Sequence, residues 1–238
     1  MAALSFREES KSLPVRIEIG TMGTFLDIHV HTNRYSSCSK LSPLAAVKQA
    51  AKKKIDGIVI TEHDVMWEED EVAELVDKAG NLDIIVLVGQ ELRGYREDGV
   101  PHGDMLAFGF DQKVEGLPPA HELIDMVHQA GGVVIAAHPY RKLLGFGDEV
   151  YEMEFDGIEV FNPKHLLLDT MKAERAWKEL EIAGTGASDA HGKRLLGKFL
   201  THFESKILCE EDLVNEIKAR RCKPIKYDDA MQLRFKPV

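Results

Sequence analysis

Five short apolar runs in this 238-residue chain each end in imidazoles or carboxylates. Asp27-Ile28-His29-Val30-His31-Thr32 closes the run that begins at Phe25. Thr61-Glu62-His63-Asp64, Gly89-Gln90-Glu91, Ala137-His138-Pro139 and Ser188-Asp189-Ala190-His191 close the others. Side chains alternate between faces along an extended strand, so His29 and His31 share one side and can reach a single cation. Asp27 is expected on that same side, as an acceptor that fixes an imidazole tautomer or as a direct ligand. The chain must fold so that several strand ends meet, and the residue types point to a metal-dependent active site.

Helical patterns separate the strands. Ser42-Pro43 caps a helix beginning at Leu44, with the proline in its first turn. Asp56-Gly57 turns into the strand Ile58-Val59-Ile60, Glu68 to Lys78 forms an acidic helix that Asp64 can cap, and Ile84 to Val88 is the next strand. Met105 to Phe110, Val133 to Ala137, Gly157 to Phe161, Gly184 to Ser188 and Phe199 to Phe203 follow as strands. Helices are expected over Pro119 to Gln129, Leu167 to Glu181 and Glu210 to Arg220. Such alternation indicates parallel β/α units. An open sheet concentrates ligands at one switch point, whereas a barrel gathers many C-terminal strand ends around one mouth. Nearly every strand end here carries a candidate ligand, so a barrel, distorted or incomplete, is favoured. Residues 1–23 read as an N-terminal extension or edge segment, and residues 24–238 as one domain. The tail from Arg221 is expected to pack against the barrel or close its bottom.

Forty acidic against 30 basic side chains give a net charge of -10, which argues against a general nucleic-acid coat. A nucleotide or a short nucleic-acid end stays compatible, because bound cations can supply local positive charge. Cys38, Cys209 and Cys222 form neither a Cys-x-x-Cys pair nor a disulfide framework, so a reducing, cytoplasmic setting is the default expectation. Cys38 is read as a small buried thiol. No apolar segment approaches the roughly 20 residues that span a bilayer.

Among the remaining candidates, His63 is the preferred ligand of its motif, with Glu62 orienting it or binding a loop amide. Glu91 follows so apolar a run that its charge needs compensation if buried, and a cation provides it. His102 and Asp104 share a face, and either can ligate. His138 stands at the tip of a core strand, where Pro139 ends ladder pairing. Arg141, just beyond, can clamp a phosphate through paired guanidinium donors or simply face solvent. Asp189 and His191 repeat the one-face spacing of the first motif. Asn162 or Lys164 can touch substrate, with His165 an intermediate case, while His121, His128 and His202 need only core or surface roles. One ion takes about four ligands; at least seven strong groups imply two. Paired ions suit phosphoester hydrolysis by metal-activated water. Amide or amidine hydrolysis competes, as does a non-catalytic metal-binding scaffold.

The motifs also resemble the PHP superfamily, named for its polymerase-associated and histidinol-phosphatase members. His29-x-His31, Glu62-His63-Asp64, Glu91, Ala137-His138-Pro139 and Asp189-x-His191 stand in the family's order. The resemblance implies a small metal-dependent phosphoesterase on a distorted (β/α)7 TIM-like barrel, with two or three divalent ions, commonly Mn, Fe or Zn. It implies that His29 and His31 hold one ion, sharing Glu91 and Asp189, and that Glu91 bridges to a second ion held by His138 and Asp104. His63 and His191 resemble ligands of a third site. Glu62 departs from the more usual Asp, and Ser37 stands near the place where a His or Asp often completes that third site. Glu91 and His138 are thus expected at the reaction centre with Arg141 on the phosphate, and the expected substrate is a nucleotide, short oligonucleotide or small phosphorylated metabolite.

Overall fold

The computed structural model describes residues 23–80 and 82–235; the expectations for the N-terminal extension fall on residues 1–22, outside that range. In chain order the elements are β1 (Thr24–Val30), α1 (Pro43–Lys53), β2 (Gly57–His63), α2 (Glu69–Ala79), β3 (Ile85–Tyr95) and β4 (Pro101–Phe108). There follow α3 (Ala120–Gln129), β5 (Val133–Ala136), β6 (Gly157–Phe161), α4 (Leu167–Leu180), β7 (Ala183–Gly186) and β8 (Phe199–Phe203). Then come α5 (Glu210–Lys218), β9 (Cys222–Lys226) and α6 (Tyr227–Arg234).

Local chemistry sets the helix limits. Ser42 Oγ accepts the Ala45 amide at 3.3 Å, Pro43 opens α1, and Lys54 ends it in the left-handed region. Helix α2 starts at Glu68, whose own amide donates to Glu71 Oε2 at 3.0 Å. Asp64 is therefore not its cap; Asp64 Oδ1 accepts the Arg93 amide at 3.1 Å instead.

The strands form one sheet in the order β7-β6-β5-β4-β3-β2-β1-β8-β9. Its two ends approach each other: the Gly186 amide of β7 donates to Thr201 Oγ1 of β8 at 3.2 Å, and that hydroxyl donates back to the Gly186 carbonyl at 2.9 Å. A Cβ at Gly186 would sit 2.7 Å from the Leu200 carbonyl, so this seam needs a glycine. The result is a nearly closed barrel, as expected, with two strands more than seven.

Strand direction departs from the all-parallel reading. The pairs β1–β2, β2–β3, β5–β6 and β6–β7 are parallel, but β4 runs antiparallel to both neighbours, and β8 does so to β1 and β9. For the β3–β4 pair the reason is connection length. Strands β3 and β4 are joined by a tight loop closed by Arg96 N to Val100 O at 2.8 Å. A parallel partner would need a crossover of a dozen residues or more. The tail adds β9 to the sheet and α6 beyond it, where Tyr227 hydroxyl donates to the Lys53 carbonyl at 3.0 Å.

Leu26, Ile28, Val59, Leu106, Ile135 and Ala183 pack together although most of their strands are not hydrogen-bonded neighbours. Only a sheet curved on itself lets them meet, so this cluster is the barrel interior. Leu213 and Ile217 of α5 join it and form its floor. Outside, α1 and α2 cover β1 and β2, while α3 and α4 cover the strands from β4 to β6. Among the described residues no helix is long and apolar enough to cross a membrane.

Candidate metal centre

At the end opposite that floor, the strand termini deliver a knot of imidazoles and carboxylates. The chain beyond β7 runs alongside the end of β1: His31 N donates to Ala190 O at 3.0 Å, and Ala190 N to His29 O at 3.3 Å. This places Asp189 and His191 beside His29 and His31. The β1 ladder is irregular between Asp27 and Val30, which frees the histidines from strict alternation with Asp27.

Glu91, near the middle of β3, is the hub. Its Oε1 lies 3.3 Å from His29 Nε2 and 3.0 Å from His138 Nε2; its Oε2 lies 3.2 Å from His31 Nε2 and 2.8 Å from His63 Nδ1. Asp189 Oδ1 is 3.5 Å from His31 Nε2 and 3.3 Å from His191 Nδ1. Asp104 Oδ2 stands 3.9 Å from His138 Nε2. Four trios have donor atoms mutually within 4.8 Å: His29/His31/Glu91, His29/His138/Asp189, Glu91/Asp104/His138 and His31/His63/His191. All eight residues expected to ligate metal are thus brought together. His102 is not; it pairs with Glu149 at 2.8 Å.

The donor set fits divalent ions. His29 and His31 are fully buried with their Nε2 atoms 3.0 Å apart, so they cannot both carry a proton there. Burial opposes charge on His29, yet the Glu91, Glu159 and Asp189 carboxylates hold its imidazole well above the usual histidine range. Burial, helped by the charges of His29 and His63, lowers His31 to about 4. Burial alone would raise Glu91, but His29, His138 and His31 hold it well below the ordinary range. Burial and then the Glu91 charge push Asp104 up to about 6. Around Glu91 the cost of burying the carboxylate is offset by the neighbouring imidazoles. Nitrogen and oxygen donors of this kind suit first-row divalent ions in the same role.

Outer contacts hold the knot in place. Glu159 of β6 accepts from His29 Nδ1 at 3.1 Å, from the His138 amide at 2.7 Å and from Asn162 Nδ2 at 2.9 Å. It thereby pins His138, whose φ of 29° is unfavourable for a side-chain-bearing residue. The sequence signal was available: an acid flanked by Ile158 and Val160 in an apolar strand is a buried charge. Arg93, also unforeseen, faces Asp104 in the β3–β4 register and donates to both its oxygens, from Nη2 at 3.1 Å and from Nε. Glu62 binds the Thr32 amide at 3.1 Å, the Thr32 and Ser36 hydroxyls and Trp67 Nε1, so its loop-amide reading fits this geometry.

Two expectations are corrected, those for Asp27 and Cys38. Asp27 touches no imidazole; it accepts from Ser188 N at 2.9 Å, Ser188 Oγ at 2.5 Å and Gly197 N at 2.7 Å, because Leu26 and Ile28 on either side of it face the barrel interior and alternation turns Asp27 the other way. Ser37, the position that departs from the family's pattern, is exposed, and its neighbour Ser36 lies 3.3 Å from His31 Nδ1. Cys38 is exposed rather than buried, with its sulfur 3.4 Å from His63 Nε2. Two cations close the mouth over Asp189 Oδ2: Lys164 Nζ at 2.7 Å and Arg141 Nη1 at 3.2 Å. His128 pairs with Asp156, His121 is exposed near Glu97, and His202 stacks on Phe25 at 4.6 Å. A cavity of about 500 Å³ lies elsewhere, between α2 and β3, lined by Trp67, Val72 and Val88 with acidic Glu68 and Asp111.

Residues 169–222 match the family described as PHP-associated. An uncharacterized protein of Methanocaldococcus jannaschii, MJ1587, is 28% identical over 168 residues, covering 65% of this chain and 92% of that one. A candidate metal-dependent phosphoesterase from Bifidobacterium adolescentis superposes with a TM-score of 0.60 at 22% identity, covering 82% of this chain and 96% of the other. A two-domain protein of Bacteroides vulgatus, containing a predicted PHP-like metal-dependent phosphoesterase, gives 0.67 at 18% identity over 87% of this chain and 66% of the other. An amidohydrolase from Chromobacterium violaceum, with bound sulfate and no metal, gives 0.59 at 16% identity, covering 87% and 99%. At such identities the solved structures establish the fold. The resemblance read from the motifs is borne out: the chain has the barrel fold of PHP-like proteins and carries the PHP-associated segment at residues 169–222.

Proposed function

We propose that this chain is an enzyme that hydrolyses a small phosphoester with the help of divalent ions, and that residues 24–238 act as one domain. The observation that carries the reading is one carboxylate, Glu91, met by four imidazoles at 2.8–3.3 Å beneath two convergent cations. His29, His31, Glu91 and Asp189 would hold one ion, and Glu91, Asp104 and His138 a second. His31, His63 and His191 offer a third site. Mn, Fe and Zn all suit these donors. Bound ions of this class lower the pKa of water toward neutrality and withdraw charge from phosphate oxygens.

The chain's own groups do the rest. Glu159 and Ser36 orient the imidazoles, as hydrogen-bonded neighbours of metal ligands do. Arg141 and Lys164 both reach Asp189 and would take the phosphate, Arg141 through its planar fork and Lys164 as a point charge. Nucleotides, a short nucleic-acid end and small phosphorylated metabolites all offer the required anion. The second reading, hydrolysis of a C–N bond, is supported by the shared fold of the Chromobacterium amidohydrolase.

A manganese-supplemented assay over phosphoester and amide panels, on wild type and His138→Ala, tests both readings. Phosphate release that depends on His138 is expected. Equal hydrolysis by the two proteins would sink the catalytic assignment, and turnover confined to amides would favour the second reading.

A further inference from the structure

The three most exposed large apolar side chains among the described residues are Leu143, Leu167 and Leu166, at 82%, 79% and 73% exposure. All three flank the cations at the mouth. Leu143 lies two residues beyond Arg141, and Leu166 and Leu167 lie two and three residues beyond Lys164, at the start of α4. Leu168 and Met171, both more than half exposed, extend the patch along that helix. Leu167 and Met171 are four residues apart and so share a helix face.

These two segments are adjacent in space. Arg141 and Lys164 share Asp189 Oδ2 at the base. Further out, Lys172 Nζ of α4 lies 5.4 Å from the Tyr140 ring centroid. Exposed apolar side chains in isolation need no explanation. The most exposed ones gathered on both sides of a cationic, metal-ligating mouth form a rim with a purpose.

We infer that the substrate is a phosphomonoester of an alcohol bearing an extended apolar group, its phosphate on Arg141 and Lys164 and its apolar part across Leu143, Leu167 and Met171. This rests on the phosphoesterase reading and deepens it. A macromolecule seated over both segments would also cover the mouth; a substrate tail covers the leucines while the mouth stays in use. The continuity of the apolar rim with the phosphate-facing cations therefore favours the substrate over a protein partner or a second copy.

The test uses octylphosphonate and methylphosphonate as non-hydrolysable probes, with titration calorimetry on the manganese-loaded full chain. Wild type should bind octylphosphonate about 10-fold more tightly than methylphosphonate. Leu143→Ser and the double variant Leu167→Ser/Met171→Ser should lose most of that preference and leave methylphosphonate affinity unchanged. For hydrolysis, KM for octyl phosphate should rise in these variants while kcat and all parameters for glycerol phosphate stay fixed. Equal binding of the two probes, or a preference untouched by the substitutions, overturns the inference while glycerol phosphate turnover keeps the phosphoesterase reading. A shift from dimer to monomer in sedimentation without a change in probe affinity also overturns it, assigning the rim to self-association. Absence of turnover on every phosphoester would bring down the underlying reading itself.

Discussion

The two ends of the barrel are equally dry and differently built. At the floor, Leu26, Ile28, Phe108, Phe203, Leu213 and Ile217 pack against one another, with the Cys222 thiol in the same apolar cluster. At the mouth, Glu91 and Asp189 are 2% exposed and surrounded by imidazoles rather than by hydrocarbon. Asp27 and Asp189 sharpen the contrast. Both are buried acids at the mouth end, but Asp27 takes hydrogen bonds from one hydroxyl and two backbone amides, and burial raises it to about 6. Asp189 is touched by imidazoles, Lys164 and Arg141, and His29 and His191 hold it below the ordinary range despite its burial. The donors that meet the two buried acids thus differ in kind: a hydroxyl and backbone amides on Asp27, imidazoles and two cationic side chains on Asp189.

If the floor stores stability and the mouth stores chemistry, substitutions at the two ends must separate the effects. Phe203→Ala, at a fully buried floor position, should cost about 3–5 kcal/mol in urea unfolding and leave turnover per folded molecule unchanged. A loss below about 1 kcal/mol would mean that the floor collapses around the gap and the contrast is overdrawn. His138→Ala should do the reverse, lowering kcat/KM by about 100-fold or more, with a smaller change in the unfolding midpoint of the chelated protein than Phe203→Ala produces.

Metal removal probes the mouth directly. Manganese at about 100 times its dissociation constant should add about 2.7 kcal/mol to the chelated protein. Asp189→Asn should abolish most of that gain, and an equal gain in both proteins would place the ions elsewhere.

The smallest effect concerns the floor. Burial pushes the Cys222 thiol from 9.0 up to about 12, so above pH 9 the folded state keeps a proton that the unfolded chain loses. Stability should fall as pH rises, by about 1.4 kcal/mol per unit between pH 9 and 11 from this group alone. Cys222→Ala should remove that share of the slope in urea melts at pH 9, 10 and 11. Parallel slopes in the two proteins would mean that the thiol titrates freely.

Much of the mouth was legible because a buried charge in an apolar strand has few explanations. Histidines at one-face spacing, Glu91 after a run of branched residues and His138 before Pro139 each carry that signal locally. Glu159 carries it too, but its meaning depended on which side of β6 faces the interior. Arg93 was hidden because its partner Asp104 lies across a hairpin whose register no single strand encodes. Asp27 misled for the opposite reason: alternation assumes a regular strand, and β1 is irregular where it counts. The direction of β4 also turned on the length of one loop, which the strand pattern alone understated.

Composition, periodicity and motif order by themselves determined the class of the fold and the residue types that would meet at its mouth, because both follow from burying apolar faces and compensating buried charge. Partner choice was decided only by tertiary structure: Ser36 beside His31, Arg93 on Asp104, and two cations on one Asp189 oxygen. Those partners are separated along the chain and meet only where strands and loops are brought together. Local sequence therefore left them open, and packing closed them.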